Sequence, residues 1–450
     1  MPTFDPPAAV DPAAKTDTHS DEFPRIAAGI GGVWVIVWQV VGAVDLGLGR
    51  DLDVVYSRSS DDGAHWSAPK PLSSAFTTDR AEDRQPAVAT DGKGTWIVVW
   101  TSTEDLQALE RRTAPRRDRD IHYVVSTDNA LTWSERRALN TNAAFDWGDD
   151  ESADIATDDK GRWVVVWESA DSLGNTKGGD RDILFSTSTD AGRTWSPPDV
   201  IDPAARTDLG CDTSPRIAVD ALGTWMVAWS SGGVSDDKGA FQRGVLVSRS
   251  TDDTASWFPP QPVAGTSEDD RPDFGPRVAG DGHGNWICAW SSADTLGNTI
   301  GRDRDLLYVR SSDGGRTWTQ RAPLNREAAE DSGDDATPEL AVDSMGNWVV
   351  VWTSWDRRGA ERGADADLLV AMSRDHGATW TRSFVLNTNA KNDLGEDTNP
   401  SLATDGSGLW ITAWSSTETF GNVLDRDRDI LTASGRFGRE FTGPPAKPAP

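Results

Sequence analysis

The chain of 450 residues is poor in cysteine, with two, poor in tyrosine, with three, and short of basic charge, with 44 Lys and Arg against 72 Asp and Glu. Two cysteines, Cys211 in a loop and Cys288 in an apolar run, supply no disulfide framework and leave the redox compartment open. A formal net charge of −28 repels a nucleic-acid backbone and fits a soluble acidic protein. The run Ile26 to Val44 carries no charge over 19 residues and alone would pass as a membrane span. The repeat described next gives it two strands and a Gly31-Gly32 turn instead, so no membrane segment is expected. The start, Met1-Pro-Thr-Phe-Asp5, has neither a basic region nor an apolar stretch, so no signal peptide is expected. The protein is then cytoplasmic, or secreted or cell-surface after removal of a signal.

What is abundant is tryptophan, 22 residues, and 14 of them form one recurring phrase of two indoles four positions apart. The pairs begin at Trp34, Trp96, Trp163, Trp225, Trp286, Trp348 and Trp410, and their second members are spaced by 62, 67, 62, 61, 62 and 62 residues. A period of that size with Gly-rich turns suits one unit of four short strands. Runs such as Ile97-Val-Val-Trp100 and Val164-Val-Val-Trp167 are β-branched and bounded by Gly, Asp or Ser, which predicts buried strands with both indoles on one face. Each unit reads as strand A (Pro215-Arg-Ile-Ala218 in the fourth), strand B with the Trp pair, a long loop, and strand C (Asp182-Ile-Leu-Phe-Ser186 in the third). A turn and strand D complete it.

Six units carry a second phrase between strands C and D, best seen as Ser188-Thr-Asp190-Ala-Gly192-Arg-Thr194-Trp195, at Ser311 to Trp318 and at Ser373 to Trp380. In the copy at Ser59, His65 replaces Thr; at Ser126, Ala130 replaces Gly; at Ser250, only Ser, Asp and Trp257 remain. The Asp is expected to accept turn N–H groups, the Gly to take a positive φ, and the Trp to close over apolar neighbours. This phrase resembles the Asp box of the BNR, or sialidase-type, repeat over nearly the whole chain. The resemblance implies an all-β, seven-bladed propeller of four-stranded antiparallel blades, with the boxes on one face and recognition of glycans on the other. It does not imply catalysis, since lectins and inactive scaffolds share the box.

The last unit ends at Thr432-Ala-Ser434 without box or fourth strand, whereas Phe4 to Asp17 parallels Trp195 to Asp208, the D-strand region of the third unit. The N-terminal strand, near Val10, is therefore expected to complete the last blade and close the ring. One domain over residues 1–437 and a Pro-rich, disordered tail over 438–450 follow, and a monomer is expected.

On the box-free face two carboxylates precede every strand A, among them Asp79 and Asp83, Asp208 and Asp212, and Asp331 and Asp335. Six units add an Asp-x-Asp before strand C, such as Asp51 and Asp53, Asp180 and Asp182, and Asp303 and Asp305; the fourth lacks it. Two readings stand: the carboxylates cap loops and pair with arginines such as Arg181 and Arg304, or they supply hard oxygens to calcium, with Asp303 and Asp305 as ligands. No cofactor is otherwise required.

Function breaks repeat symmetry, so residues present in only some blades are the site candidates. Two tryptophans belong to neither phrase, Trp147 and Trp355, and an exposed indole there stacks on a sugar or packs under its loop. Arginine begins strand A in three units, as Arg25, Arg216 and Arg277, against Ala87, Asp154, Glu339 and Ser401. The sialidase resemblance implies an arginine clamp on a sugar carboxylate here, with Phe23-Pro-Arg25-Ile26-Ala27 matching the family's first arginine motif except for Ala27. The alternative is pairing with the acidic loops. The resemblance also implies Asp51, then Asp45, as acid/base, and a Tyr nucleophile assisted by Glu. Tyr56, Tyr123 and Tyr308 occupy one equivalent core position of strand C, and Glu151 and Glu168 are unmatched in other units but lack a tyrosine beside them. Seven blades instead of the family's usual six put the transfer in question. The second unit's long basic loop (Arg111, Arg112, Arg116, Arg117) and Arg357, Arg358 and Arg362 are further candidates for an anionic glycan, or solvated loop charges. Two function classes remain: an exo-sialidase-type hydrolase, and a non-catalytic carbohydrate-binding or interaction scaffold.

Overall fold

Every Trp pair lies on a strand whose neighbours come from its own unit, and seven antiparallel sheets of four strands result. The computed structural model describes residues 4–14, 19–106, 118–145, 147–174, 177–205, 210–232, 244–263, 273–356, 365–391, 395–419 and 427–437. In the third blade strand A is Asp150–Thr157, B Trp163–Ser169, C Asp182–Ser188 and D Asp199–Val200. The ladder pairs Asp150 with Ser169 and Ser169 with Asp182 at one end, and Thr157 with Trp163 and Trp163 with Ser188 at the other. The D-to-A and B-to-C loops therefore share one face and the boxes the opposite one. No helix among the described residues is long and apolar enough to cross a membrane.

Ring closure follows the sequence expectation. Ala8 and Ala9 pair with Thr432 and Leu431 of the last blade, Val10 N–H donates to the Ile430 carbonyl at 2.9 Å, and Phe4 bridges to Gly435. The expected tail, 438–450, lies outside the described residues.

The core sits between blades. All 14 paired indoles are at most 1% exposed, and each pair packs on strands B and C of the preceding blade, as Trp163 and Trp167 do on Ile97, Val99 and Ile121. In the boxes, Ser188 Oγ accepts the Gly192 N–H (3.0 Å) while Asp190 accepts both the N–H and the hydroxyl of Thr194 (3.0 and 2.7 Å). Gly192 has φ +74°, and a Cβ there would lie 2.5 Å from Ile97 of the preceding blade, so glycine serves both turn and packing. The degenerate fourth box keeps the same bonds through Thr254 and Ser256. The box indole then meets the preceding blade's strand C edge-to-face: Tyr56 with Trp133 (5.6 Å), Tyr123 with Trp195 (5.8 Å) and Tyr308 with Trp380 (5.8 Å). Those contacts occupy all three tyrosines of the chain as blade-to-blade packing.

Candidate functional site

Strand A was legible only from its proline onward. It begins earlier, at Asp212 in the fourth blade, and passes through a bulge between Thr213 and Arg216. The bulge recurs in every blade and sets one residue per blade at positive φ: Phe23, Gln85, Ser152, Ser214, Gly275, Thr337 and Asn399, between 50 and 58°. Such a bulge re-aims the side chain that follows. Here it turns residues 25, 216, 277 and 339 into a cavity of about 410 Å³ lined from all seven blades at the axis of the box-free face.

Three of the sequence candidates meet in this cavity. Arg277 donates from Nε and Nη2 to Glu339 Oε1 at 3.0 and 2.7 Å, and Arg25 Nη1 stands 3.5 Å from the same oxygen. Each of the three arginines also donates to the carbonyl of its preceding proline. Arg216 makes no ion pair among the described residues. Burial and then Arg277 push its guanidinium down, to about 9, with Asp154 only partly offsetting them. Glu339 shows the complement: burial would raise it, but Arg277 and Arg25 hold it below its ordinary value. Pairing thus runs around the axis, between equivalent positions of different blades, and not with the acidic loops.

Two features of the cavity were not anticipated. Arg304 lines it, although its counterparts are tied down: Arg119 pairs with Asp149 and Glu151, Arg181 with Glu151 and Glu168, and Arg428 with Glu396. The Arg304 N–H donates to Asp334 Oδ1 at 3.0 Å, but its guanidinium makes no ion pair among the described residues and lies over the Phe274 ring, 5.1 Å from its centroid. Phe274 and Phe23 both line the cavity and are 42% and 38% exposed. With four arginines against one glutamate, the lining has a formal charge of +3 on a protein of −28.

A family model described as BNR repeat-like domain matches residues 32–212. In fold, the chain is a seven-bladed β-propeller with a BNR repeat-like segment. Among solved structures, an ulvan lyase, a polysaccharide lyase of family PL25, is 15% identical, with 92% of this chain and 93% of that chain covered at a TM-score of 0.56. A protein of unknown function from Dyadobacter fermentans is 12% identical over 96% and 98% of the two chains at 0.53. A Hadza microbial sialidase is 18% identical over 86% and 73% at 0.48. At these identities the likeness is one of fold. No curated protein matches the chain significantly.

The other candidates of this propeller lie elsewhere. Trp147 is 77% exposed and Trp355 38%, but neither lines the axial cavity. Asp51 clusters with Asp53 and Asp79 and does not line the axial cavity. Glu151 and Glu168 join Arg119 and Arg181 in one chain of ion pairs, and Glu168 Oε2 also accepts the Ser214 N–H at 2.8 Å. The arginines at 111, 112, 116, 117, 357, 358 and 362 fall outside the described residues, as does the side chain of Asp45.

The second carboxylate before strand A is a structural acid. Asp397 accepts Trp414 Nε1 at 2.9 Å, and burial pushes it up to about 8; burial likewise raises Asp273 to about 6. An unfolded Asp loses its proton near about 4. Between pH 4 and 8 the folded chain therefore holds protons that the unfolded chain has released, so stability falls as pH rises. A melting temperature that declines from pH 5 to pH 8 is expected in calorimetry, and one that rises over that range would contradict it.

Proposed function

We propose that this propeller recognises an acidic saccharide at the axial mouth of its box-free face, through guanidinium contacts to a carboxylate or sulfate and aromatic contacts to the ring. The observation that carries this reading is the convergence of Arg25, Arg216, Arg277 and Arg304 on one cavity flanked by Phe23 and Phe274. Arg216 and Arg304 lack ion pairs among the described residues, so an incoming anion supplies the missing counter-charge and adds charge-assisted hydrogen bonds. Phe23 and Phe274 offer apolar faces to a pyranose. The PL25 ulvan lyase, similar in fold, has been solved bound to -[GlcA(1-4)Rha3S]-, which makes an acidic glycan a reasonable ligand class here.

Binding is favoured over sialidase-type hydrolysis. The tyrosines that such a mechanism needs are engaged between blades, and the carboxylate among the cavity residues, Glu339, is held ionised by two arginines and is a weak base. The test is calorimetric titration with sialyl and uronate oligosaccharides and their carboxyl-reduced counterparts, beside a fluorogenic sialoside assay. Loss of the carboxylate should weaken binding by roughly 10- to 150-fold, as for hydrogen bonds to a charged group. Equal affinity for the neutral sugar would overturn the reading, and turnover of the sialoside would restore the hydrolase.

A further inference from the structure

The third blade shows what the recurring Asp-x-Asp is built to hold. Lys177, whose side chain is 0% exposed, donates from Nζ to Asp182 Oδ2 at 2.8 Å, to the Asp180 carbonyl at 2.8 Å and to the Ser169 carbonyl at 3.2 Å. The chain thus supplies its own cation, bonded by three oxygens. The segment from the end of strand B to the second Asp has the same length in blades 1, 3 and 5, since Val40, Ser169 and Ser292 pair with Asp53, Asp182 and Asp305. Five positions before that Asp stand Leu48, Lys177 and Ile300. Leu48 and Ile300 reproduce the aliphatic stem of the lysine and stop short of its ammonium.

The carboxylates are nevertheless still there. In blade 1 Asp51, Asp53 and Asp79 bring one oxygen each within 4.8 Å of one another. Asp53 is 0% exposed, and neither of its oxygens has a hydrogen-bond partner; Asp51 Oδ2 and Asp79 Oδ1 lack one as well. Arg136 Nη1 donates to the other oxygen of Asp79 at 2.6 Å, which leaves the cluster with more negative than positive charge. A fully buried carboxylate with no partner costs several kcal/mol unless a proton neutralises it or a cation meets it. Blade 5 repeats the grouping with Asp303, Asp305 and Asp331; there the Asn325 amide donates to Asp305 Oδ1 and Asp331 Oδ2, each at 3.1 Å, and Asp305 Oδ2 is left buried without a hydrogen-bond partner.

From this we infer that blades 1 and 5 each bind a hard divalent cation, at Asp51, Asp53 and Asp79 and at Asp303, Asp305 and Asp331, in the place that the Lys177 ammonium takes in blade 3. The donor set is all oxygen, which selects hard cations over zinc or copper. Carboxylates on an irregular loop suit calcium better than magnesium, which demands regular octahedral geometry. Each ion joins strand C of one blade to the loop that leads into the next, so its effect is on ring stability and not on the axial cavity.

The experiment uses the full chain after EDTA treatment, with calcium titrated in calorimetry and the melting temperature followed with and without the ion. Two binding events per chain and a rise in melting temperature are expected. Leu48→Lys should leave one event, and Leu48→Lys with Ile300→Lys none, with a melting temperature that no longer responds to calcium or EDTA. Absence of both heat and thermal shift in the EDTA-treated wild type at millimolar calcium would overturn the inference. So would two events surviving in the double lysine variant. If the lysine variants fail to fold, Asp53→Asn with Asp305→Asn must abolish both events, and retained binding there overturns it equally.

Discussion

Arg216→Ala is expected to weaken binding of an acidic saccharide by roughly 30-fold to several thousand-fold, the equivalent of the ~2–5 kcal/mol lost when one partner of a desolvated charge pair is truncated. The melting temperature of the free protein should hardly change. The reason is the division of labour around Glu339. Arg277 and Arg25 already share one of its oxygens, so a ligand must compete for them, whereas Arg216 has only the Pro215 carbonyl, at 2.6 Å, among its described partners. Its lowered pKa expresses the same imbalance, since a buried cation beside Arg277 is short of counter-charge. Removing it relieves repulsion in the empty site and removes the strongest attraction in the filled one. Arg119→Ala is the matched control, because that guanidinium lies on the same face but is committed to Asp149 and Glu151. Equal losses in the two variants, read by titration calorimetry, would mean that the face attracts anions diffusely and that the cavity has no special part.

The repeat made the ring legible in the sequence. Seven Trp pairs fix strand B, six boxes fix the C-to-D hairpin, and the likeness of Phe4–Asp17 to Trp195–Asp208 gives the closing strand, because each signal is local and recurs in register. The arginines were found by the same logic in reverse, as exceptions to the repeat. What the sequence concealed is how equivalent positions of different units meet around the axis. Glu339 occupies the same place in its unit as Arg25, so no local pattern pairs them; only closing the ring does. The bulge is a second example. An X-Pro dipeptide reads as the extended start of a strand, and nothing in Ser214-Pro215 or Asn399-Pro400 announces a left-handed residue. Phe274 and Arg304 were hidden for a different reason: Phe274 precedes the proline at which strand A was read to begin, and Arg304 belongs to a loop seen in several blades and stands out only by a guanidinium without an ion pair among the described residues. Trp147 and Trp355 were chosen on rarity, and rarity reported exposure correctly without reporting position.

Glu339→Gln separates the structural from the binding role of this cluster, because the two should respond in opposite directions. The substitution keeps shape and an acceptor oxygen but leaves Arg25 and Arg277 without their shared counter-ion. Breaking a buried ion pair costs about 3–5 kcal/mol, and the 12–22% exposure of these side chains places the expected loss toward ~3 kcal/mol. The melting temperature should fall accordingly. Affinity for an acidic saccharide should rise, since the ligand no longer displaces an internal carboxylate from two guanidiniums. An anion that binds only the folded chain stabilises it by mass action, so sulfate should restore much of the lost melting temperature in Glu339→Gln and do little for the wild type. The opposite result for binding, a weaker ligand in Glu339→Gln, would place the carboxylate in direct contact with the sugar, as an acceptor for its hydroxyl groups, and would shift the centre of the site from Arg216 toward the sixth blade.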